Sequence, residues 1–133
     1  MTGTKKINAL VVSHDERLRE IVELYLISEG FDVLAVKNYE AALGHIDRHS
    51  PDMIISEQGR SSAEAKKFFR DIQKFRSALD AYKIILCDSC NPENGCEGLE
   101  QYADLYFQMP LTKESVDHFL SRVITLWKKT AKA

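Results

Sequence analysis

The strongest constraint on the fold is a fivefold alternation of short apolar segments with stretches of helical spacing. The apolar segments are residues 7–12, 31–36, 51–57, 83–87 and 105–107. Between them, apolar residues recur every three or four positions, as at Leu18, Ile21 and Val22, which is typical of amphipathic helices. Strands separated by helices of this length indicate parallel pairing through right-handed crossovers. The sequence therefore predicts a three-layer, doubly wound α/β domain with five parallel strands and five helices.

Capping and turn residues set the limits of the predicted helices. Asp15 or Ser13 is a candidate N-cap for the first helix, and Asn38 is one for the second. Gly30 is placed to end the first helix. The predicted fourth helix, residues 97–102, is the weakest of the five because it has few apolar anchors.

Length and charge narrow the class of protein. A chain of 133 residues suits a single domain, which we expect to span residues 1–133. With 18 basic and 20 acidic residues, it has no excess of positive charge for nucleic acid. Its sequence has neither a signal peptide nor an apolar segment of membrane-spanning length, so we expect a cytoplasmic protein with no nucleic-acid or membrane partner. Three cysteines, an odd number, favour reduced thiols over a disulfide framework.

The third apolar segment ends on an acid, Glu57. In an open parallel sheet, ligands and reactive groups lie at the carboxyl ends of the strands. Ser13, His14 and Asp15 follow the first strand, so we expect them near Glu57. The sequence has no glycine-rich phosphate loop, nucleophile elbow or pair of catalytic carboxylates, and we therefore expect no enzymatic activity.

Four segments carry a resemblance to a known family. They are Val-Val-Ser-His-Asp (11–15), Pro-Asp-Met-Ile-Ile-Ser-Glu (51–57), Ile-Ile-Leu-Cys (84–87) and Ala-Asp-Leu-Tyr-Phe-Gln-Met-Pro (103–110). In order and spacing they resemble the receiver domain of bacterial response regulators, over essentially the whole chain. The resemblance implies a flavodoxin-like fold with strand order 2-1-3-4-5. It also implies phosphoryl transfer from a histidine kinase to an aspartate at the tip of the third strand, with a bound magnesium ion.

At the positions that carry this chemistry in the family, the chain has other residues. The resemblance places Glu57 at the phosphoacceptor position. It places Ser13 and His14 where the family has the acid pair that holds magnesium. Asp15 is acidic but lies one position later, where family members often have a further acid.

The fourth and fifth strands show the same departure. Cys87 occupies the position of the hydroxyl residue that contacts the phosphoryl group, and Met109 occupies the position of the lysine. Pro110 then matches the family's cis-proline, and Tyr106 matches its aromatic switch residue. The chain therefore matches the family at the proline and the aromatic residue, and it lacks the hydroxyl residue and the lysine.

These substitutions remove the chemistry that phosphoryl transfer needs. Magnesium takes hard oxygen ligands, usually with one or two carboxylates, and Ser13 and His14 supply none. Met109 has no cation to offset the phosphoryl charge, and Glu57 is one methylene longer than an aspartate, which displaces the acceptor oxygen. We expect no phosphorylation, no metal and no cofactor. The implied function is that of a degenerate receiver domain that contacts protein partners in a bacterial signalling pathway.

The family also suggests which surface makes those contacts. Its members commonly form dimers or bind partners through the fourth helix, the fifth strand and the fifth helix. The matching surface here comprises residues 97–106 and the outer face of residues 112–129. Homodimerisation through this surface is an expectation from the resemblance.

Two alternatives concern the phosphoryl site. One is a conventional magnesium-dependent receiver that is phosphorylated on Asp15 or Asp52. The other is that Glu57 partly imitates a phosphorylated aspartate, although a carboxylate carries about one charge and a phosphate about −1.5 to −2.

Two further alternatives involve metals or thiols. Cys87, Cys90 and Cys96 have the spacing C-x2-C-x5-C, which with one more ligand would suit a metal or a redox sensor. His14, together with Glu57 and Asp15, offers ligands that suit a transition metal better than magnesium. Neither pattern is specific, because a second C-x2-C motif is missing from the sequence.

Overall fold

The computed structural model describes residues 7–57, 62–75, 80–88, 100–109 and 112–131. Its strands are β1 Asn8–Val12, β2 Asp32–Val36, β3 Met53–Glu57, β4 Tyr82–Asp88 and β5 Leu105–Met109. Its α-helices are α1 Glu16–Ser28, α2 Tyr39–His49, α3 Ser62–Ile72 and α4 Lys113–Ala131. All five strands pair in parallel in one sheet of order β2-β1-β3-β4-β5. The predicted flavodoxin-like topology is confirmed.

The prediction of a fifth helix at residues 97–102 is wrong for the part of it that the structure describes. Glu100–Tyr102 form a single 3₁₀ turn, and residues 97–99 lie outside the described ranges. A short segment with few apolar side chains gains too little burial to offset the cost of helix nucleation. The described residues therefore contain four α-helices.

The two faces of the sheet bury separate hydrophobic cores, because successive strand residues point to opposite faces. On one face, Ile54 packs with Phe68 in the core that includes α2 and α3. On the other face, Ile55 packs with Phe119 in the core that includes α1 and α4. Strands covered on both sides in this way are apolar along their length, as the sequence pattern required.

Local signals end the helices where the sequence predicted. Asp15 is the N-cap of α1, and its carboxylate accepts the N–H groups of Arg17 and Leu18. Gly30 has φ +93°, a conformation that glycine adopts without strain, and its N–H donates to the Ile27 carbonyl just after α1. The Asp15 cap starts α1 just after β1, and the turn at Gly30 returns the chain to the sheet at β2.

The register of the strands brings three tips to the same edge of the sheet. Val12 lies beside Ser56, and Glu57 lies beside Leu86. Ser13, Glu57 and Cys87 therefore lie at the carboxyl edge, where a doubly wound sheet places its ligands. None of the described helices has the length and apolar character needed to cross a bilayer.

Candidate functional site

The site centres on the Glu57 carboxylate at the end of β3. Glu57 is buried, with 6% of its surface exposed. Its Oε1 accepts a hydrogen bond from Ser13 Oγ, and His14 Nδ1 lies 3.4 Å from the same oxygen. A buried carboxylate requires such partners because desolvation of an unpaired charge is costly. The structure thus brings together the three residues that the sequence placed at the phosphoacceptor and acid-pair positions.

The backbone around Ser13 fixes the orientation of this cluster. The Ser13 N–H donates to the Val36 carbonyl at 3.1 Å, and the Ser13 carbonyl accepts from Arg19 Nη1 at 2.8 Å. The Asp15 N–H donates to Ser13 Oγ at 3.1 Å. Ser13 is itself buried, with 2% exposure. Its hydroxyl therefore has a defined position, from which it can donate its one proton to Glu57.

Asp15 does not extend this cluster. Its Oδ1 accepts the N–H of Arg17 at 3.0 Å and of Leu18 at 3.2 Å, so the carboxylate stabilises the start of α1. Within the ranges that the structure describes, no group of three histidine, cysteine or acidic residues is arranged to hold a metal ion. The hypothesis of a metal held by His14, Glu57 and Asp15 together therefore fails on geometry.

Asp52 lies at the opposite edge of the sheet. It precedes β3, and its Oδ2 accepts the N–H of Asn8 at 2.9 Å. Its own N–H donates to the Asn8 carbonyl at 2.8 Å, and its carbonyl accepts from Tyr82 N–H at 2.8 Å. Asp52 therefore connects the starts of β1, β3 and β4 through hydrogen bonds. It is separated from Glu57 by the whole length of β3.

Two polar residues of the site were missed by the sequence reasoning. Tyr39 is the first residue of α2, and Ser56 lies within the apolar segment that forms β3. Tyr39 Oη and Ser56 Oγ form a hydrogen bond of 3.0 Å, and Tyr39 Oη also contacts the Glu57 carbonyl at 3.4 Å. Ser56 is fully buried. A serine within an apolar strand is a usable signal, because a buried hydroxyl requires a partner.

Burial dominates the electrostatics of Tyr39. It raises the pKa of the phenol to about 12; the hydrogen bond with Ser56 opposes this shift, and the negative charges of Glu57 and Glu64 add to it. The Tyr39 ring also stacks on Phe68, with centroids 4.6 Å apart. Tyr39 is therefore a neutral, fixed donor beside the Glu57 backbone.

A cavity of about 790 Å³ opens over this cluster. Ser13, His14 and Glu57 line its base, and Tyr39 and Phe68 line its wall. The surrounding charged residues are of mixed sign: Lys37, Glu40, Glu64, Lys67 and Asp71. Among the residues that the structure describes, the cavity lining therefore has no concentration of cations for a phosphoryl group, whose stabilisation depends on positive charge.

The remaining predicted positions lie on β4, β5 and the segment after it. Cys87 is buried in the core on the α2 and α3 side. Its sulfur takes part in a disulfide, so the expectation of reduced thiols is wrong at this position. Cys90 and Cys96 follow it three and nine positions later in the sequence, a short separation for a bridge, but both lie outside the described residues. The metal or redox role of the three cysteines stays a prediction.

Tyr106, the residue that matches the family's aromatic switch position, lies in β5. Tyr106 is half-buried on β5, beside Ile85 of β4, and packs against the core on the α2 and α3 side. Met109 is the last residue of β5. Pro110 lies outside the described residues, so the expected cis-proline stays a prediction.

Comparisons with known proteins bear on the sequence and the fold of the chain. No family model matches the chain. It is 23% identical over 107 residues to the phosphate regulon transcriptional regulatory protein PhoB of Escherichia coli, which covers 80% of this chain and 47% of PhoB. The chain thus spans about half the length of the curated relatives it matches.

Solved structures show the same similarity at the level of the fold. The chemotaxis response regulator CheY4 of Vibrio cholerae has a TM-score of 0.70 and 21% identity, covering 90% of this chain and 99% of CheY4. The phosphorylated cyanobacterial phytochrome response regulator RcpA has a TM-score of 0.75 and 11% identity, covering 95% and 96%. The chain has the fold of a response-regulator receiver domain. Within that fold, Glu57, Ser13 and His14 occupy the region where the resemblance places phosphoryl chemistry.

Proposed function

We propose that this chain is a degenerate receiver domain that acts in bacterial signalling through contacts with protein partners and is not phosphorylated. The observation that carries the proposal is the state of the Glu57 carboxylate. It is buried and held by Ser13 and His14, at the two positions where the family has acids. The carboxylate thus has side-chain partners within the protein.

The acceptor oxygen is the first obstacle to phosphoryl transfer. An incoming phosphoryl group has to approach in line with an exposed, correctly placed nucleophile. Glu57 Oε1 already accepts the Ser13 hydroxyl and faces the His14 imidazole. Transfer to Glu57 would require both contacts to break. Among the described residues that line the cavity, the two lysines are outnumbered by acids.

Charge neutralisation is the second obstacle. In phosphoryl transfer, metal ions and fixed cations offset the negative charge of the transferring group. Ser13 provides a neutral hydroxyl, and Asp15 is engaged as the N-cap of α1. Without a carboxylate pair, a magnesium ion has no charged anchor beside Glu57.

The alternative phosphoacceptors are less well placed than Glu57. Asp52 is at the amino edge of the sheet, bonded to the Asn8 backbone. Asp15 is at the carboxyl edge, but its carboxylate accepts two backbone N–H groups of α1. Phosphorylation of either residue would break a structural hydrogen bond. This supports the proposal that the domain is not phosphorylated.

The partner surface follows from the resemblance. We propose that β5 and the outer face of α4 form part of it, with homodimerisation as one outcome. The described outer positions of α4 are polar and of mixed charge, including Glu114, Asp117, Arg122 and Lys129. A polar surface of this kind suits a reversible contact better than an obligate one.

Incubation with acetyl phosphate and Mg²⁺, read by intact mass, tests the absence of phosphorylation. A conventional receiver domain treated in parallel should gain one phosphoryl group. This chain should keep its mass at every Mg²⁺ concentration. A stoichiometric gain of one phosphoryl group by the wild-type chain would refute the proposal, and peptide mapping would then identify the acceptor.

A further inference from the structure

Two histidines on α2 form a cluster that the proposed function does not use. His45 and His49 have ring centroids 5.9 Å apart, with ring planes inclined by 70°. His49 is exposed and His45 is half-buried. We propose that this pair binds a divalent transition-metal ion of the class that prefers imidazole ligands, such as Ni²⁺ or Zn²⁺.

The spacing of the pair fits this chemistry. Residues four apart on a helix lie on the same face, and His-x-x-x-His is the spacing with which a helix presents two imidazoles to zinc. Here Ile46 follows the first histidine, and its side chain is completely buried. The glutamate that acts as general base in helical zinc proteases is therefore missing from this motif, so the pair is suited to binding an ion and not to hydrolysis.

The end of α2 is fixed before any ion binds. The His49 carbonyl accepts a hydrogen bond from Asn8 Nδ2 at 3.0 Å. The Ser50 N–H donates to the Ile46 carbonyl at 3.1 Å, and Ser50 closes the helix in the left-handed conformation with φ 44°. These bonds attach the turn that carries His49 to the start of β1, so little ordering remains for the ion to bring about.

The surroundings favour a cation. The pair lies in the last turns of α2, where the helix dipole is negative. Arg48 is a cation next to His49 in the sequence. Its guanidinium donates a hydrogen bond to the Gly44 carbonyl at 3.2 Å. A cavity of about 230 Å³ borders His49 and is also lined by Asn8 and Asp32, so there is solvent space beside this member of the pair.

Calorimetric titration with Ni²⁺, on protein purified without chelators, tests the site. Wild type should bind one ion through the pair. His45→Gln and His49→Gln should each weaken binding by at least about tenfold, since even the loss of an outer-shell partner costs about that much. His118→Gln, which removes an exposed histidine on α4, should change nothing.

Two outcomes would overturn the inference. One is an equal Ni²⁺ affinity in wild type, His45→Gln and His49→Gln, which would place the ion elsewhere, for instance at a thiol. The other is a wild-type Kd weaker than roughly 1 mM, which would mean adventitious surface binding only. Glu57 takes no part in the site, so failure here leaves the proposed function untouched.

Thermal unfolding gives an independent readout. An ion that binds only the folded chain raises its unfolding temperature, so Ni²⁺ should raise that of wild type and His118→Gln. The two α2 variants should show the wild-type unfolding temperature without metal and little or no rise with it. An equal rise in all four proteins would contradict the assignment to His45 and His49.

Discussion

The two ends of β3 each carry an acid, and the two acids are held in different ways. Asp52, just before the strand, is bound to backbone: its Oδ2 accepts the Asn8 N–H at 2.9 Å. Glu57, the last residue of the strand, accepts a hydrogen bond from the Ser13 side chain and lies 3.4 Å from His14 Nδ1. Backbone partners are present whatever the neighbouring residues are, whereas side-chain partners depend on sequence. The partners of a strand-tip acid, and not its position alone, therefore decide what it can do.

A second acid at the amino edge repeats the backbone pattern. Asp104 Oδ2 accepts the Lys83 N–H at 2.7 Å, and the Asp104 N–H donates to the Lys83 carbonyl at 2.7 Å. Asp52 and Asp104 thus bracket pairs of adjacent strands. At the carboxyl edge, Glu57 instead borders an open cavity, where a change of one neighbour would alter its charge environment.

The largest expected effect comes from restoring an acid beside Glu57. Ser13→Asp removes a donor to Glu57 and brings a second carboxylate into a buried site. We expect the free energy of unfolding to fall by about 3 kcal/mol, the scale for a buried charge that loses its partner. Urea denaturation at neutral pH without divalent ions measures it.

The double variant Ser13→Asp/Glu57→Gln is the matched control for that prediction. It keeps the new carboxylate and removes the one it repels, so most of the lost stability should return. A Ser13→Asp protein as stable as wild type would contradict the close contact between positions 13 and 57.

A smaller effect is expected at the other end of β3. Asp52→Ala removes the acceptor for the part-buried Asn8 N–H and should cost about 1 kcal/mol. Asp52→Asn keeps a side-chain oxygen and should cost less. Urea denaturation of the two variants measures the difference; equal losses would show that the Asp52 hydrogen bond contributes little at this edge.

The smallest effect at neutral pH is expected for Tyr39→Phe, but it should grow in alkali. The folded pKa of Tyr39 is about 12, above the ordinary value of about 10. Its contribution to stability is therefore complete below pH 10 and is lost as the pH rises from 10 to 12. Thermal unfolding across this range should show a shallower alkaline decline in Tyr39→Phe than in wild type.

Tyr25→Phe, on α1 and against the opposite core, is the control for the loss of a phenol. If Tyr39→Phe and Tyr25→Phe declined as steeply as wild type above pH 10, the buried environment of Tyr39 would not be coupled to folding.

The sequence was sufficient for the fold because each element carried its own local signal. Apolar strands covered on both faces, the Asp15 and Asn38 caps and the turn at Gly30 are all short-range features, and the structure has each of them. The weak segment at residues 97–102 lacked such a signal, and its described part is a 3₁₀ turn. Prediction thus failed where burial was too small to decide the backbone conformation.

The site was predicted in part. The meeting of Ser13 and His14 with Glu57 follows from parallel strands that end at one edge. The contact of Tyr39 with Ser56 does not, because it depends on the angle at which α2 leaves β2. Which contact the Asp15 carboxylate makes, a cap or a ligand, was likewise open in the sequence, since an acid after a strand suits both.

A double-mutant cycle between Ser13 and Glu57 tests the central claim most directly, namely that the carboxylate at the phosphoacceptor position is held within the protein. Ser13→Ala should cost about 2 kcal/mol, because it leaves a buried carboxylate without its donor. In the Glu57→Gln background the same change should cost less, with a coupling of at least about 1 kcal/mol. Strictly additive losses in the free energy of unfolding would mean that Ser13 does not hold Glu57, and would contradict the account.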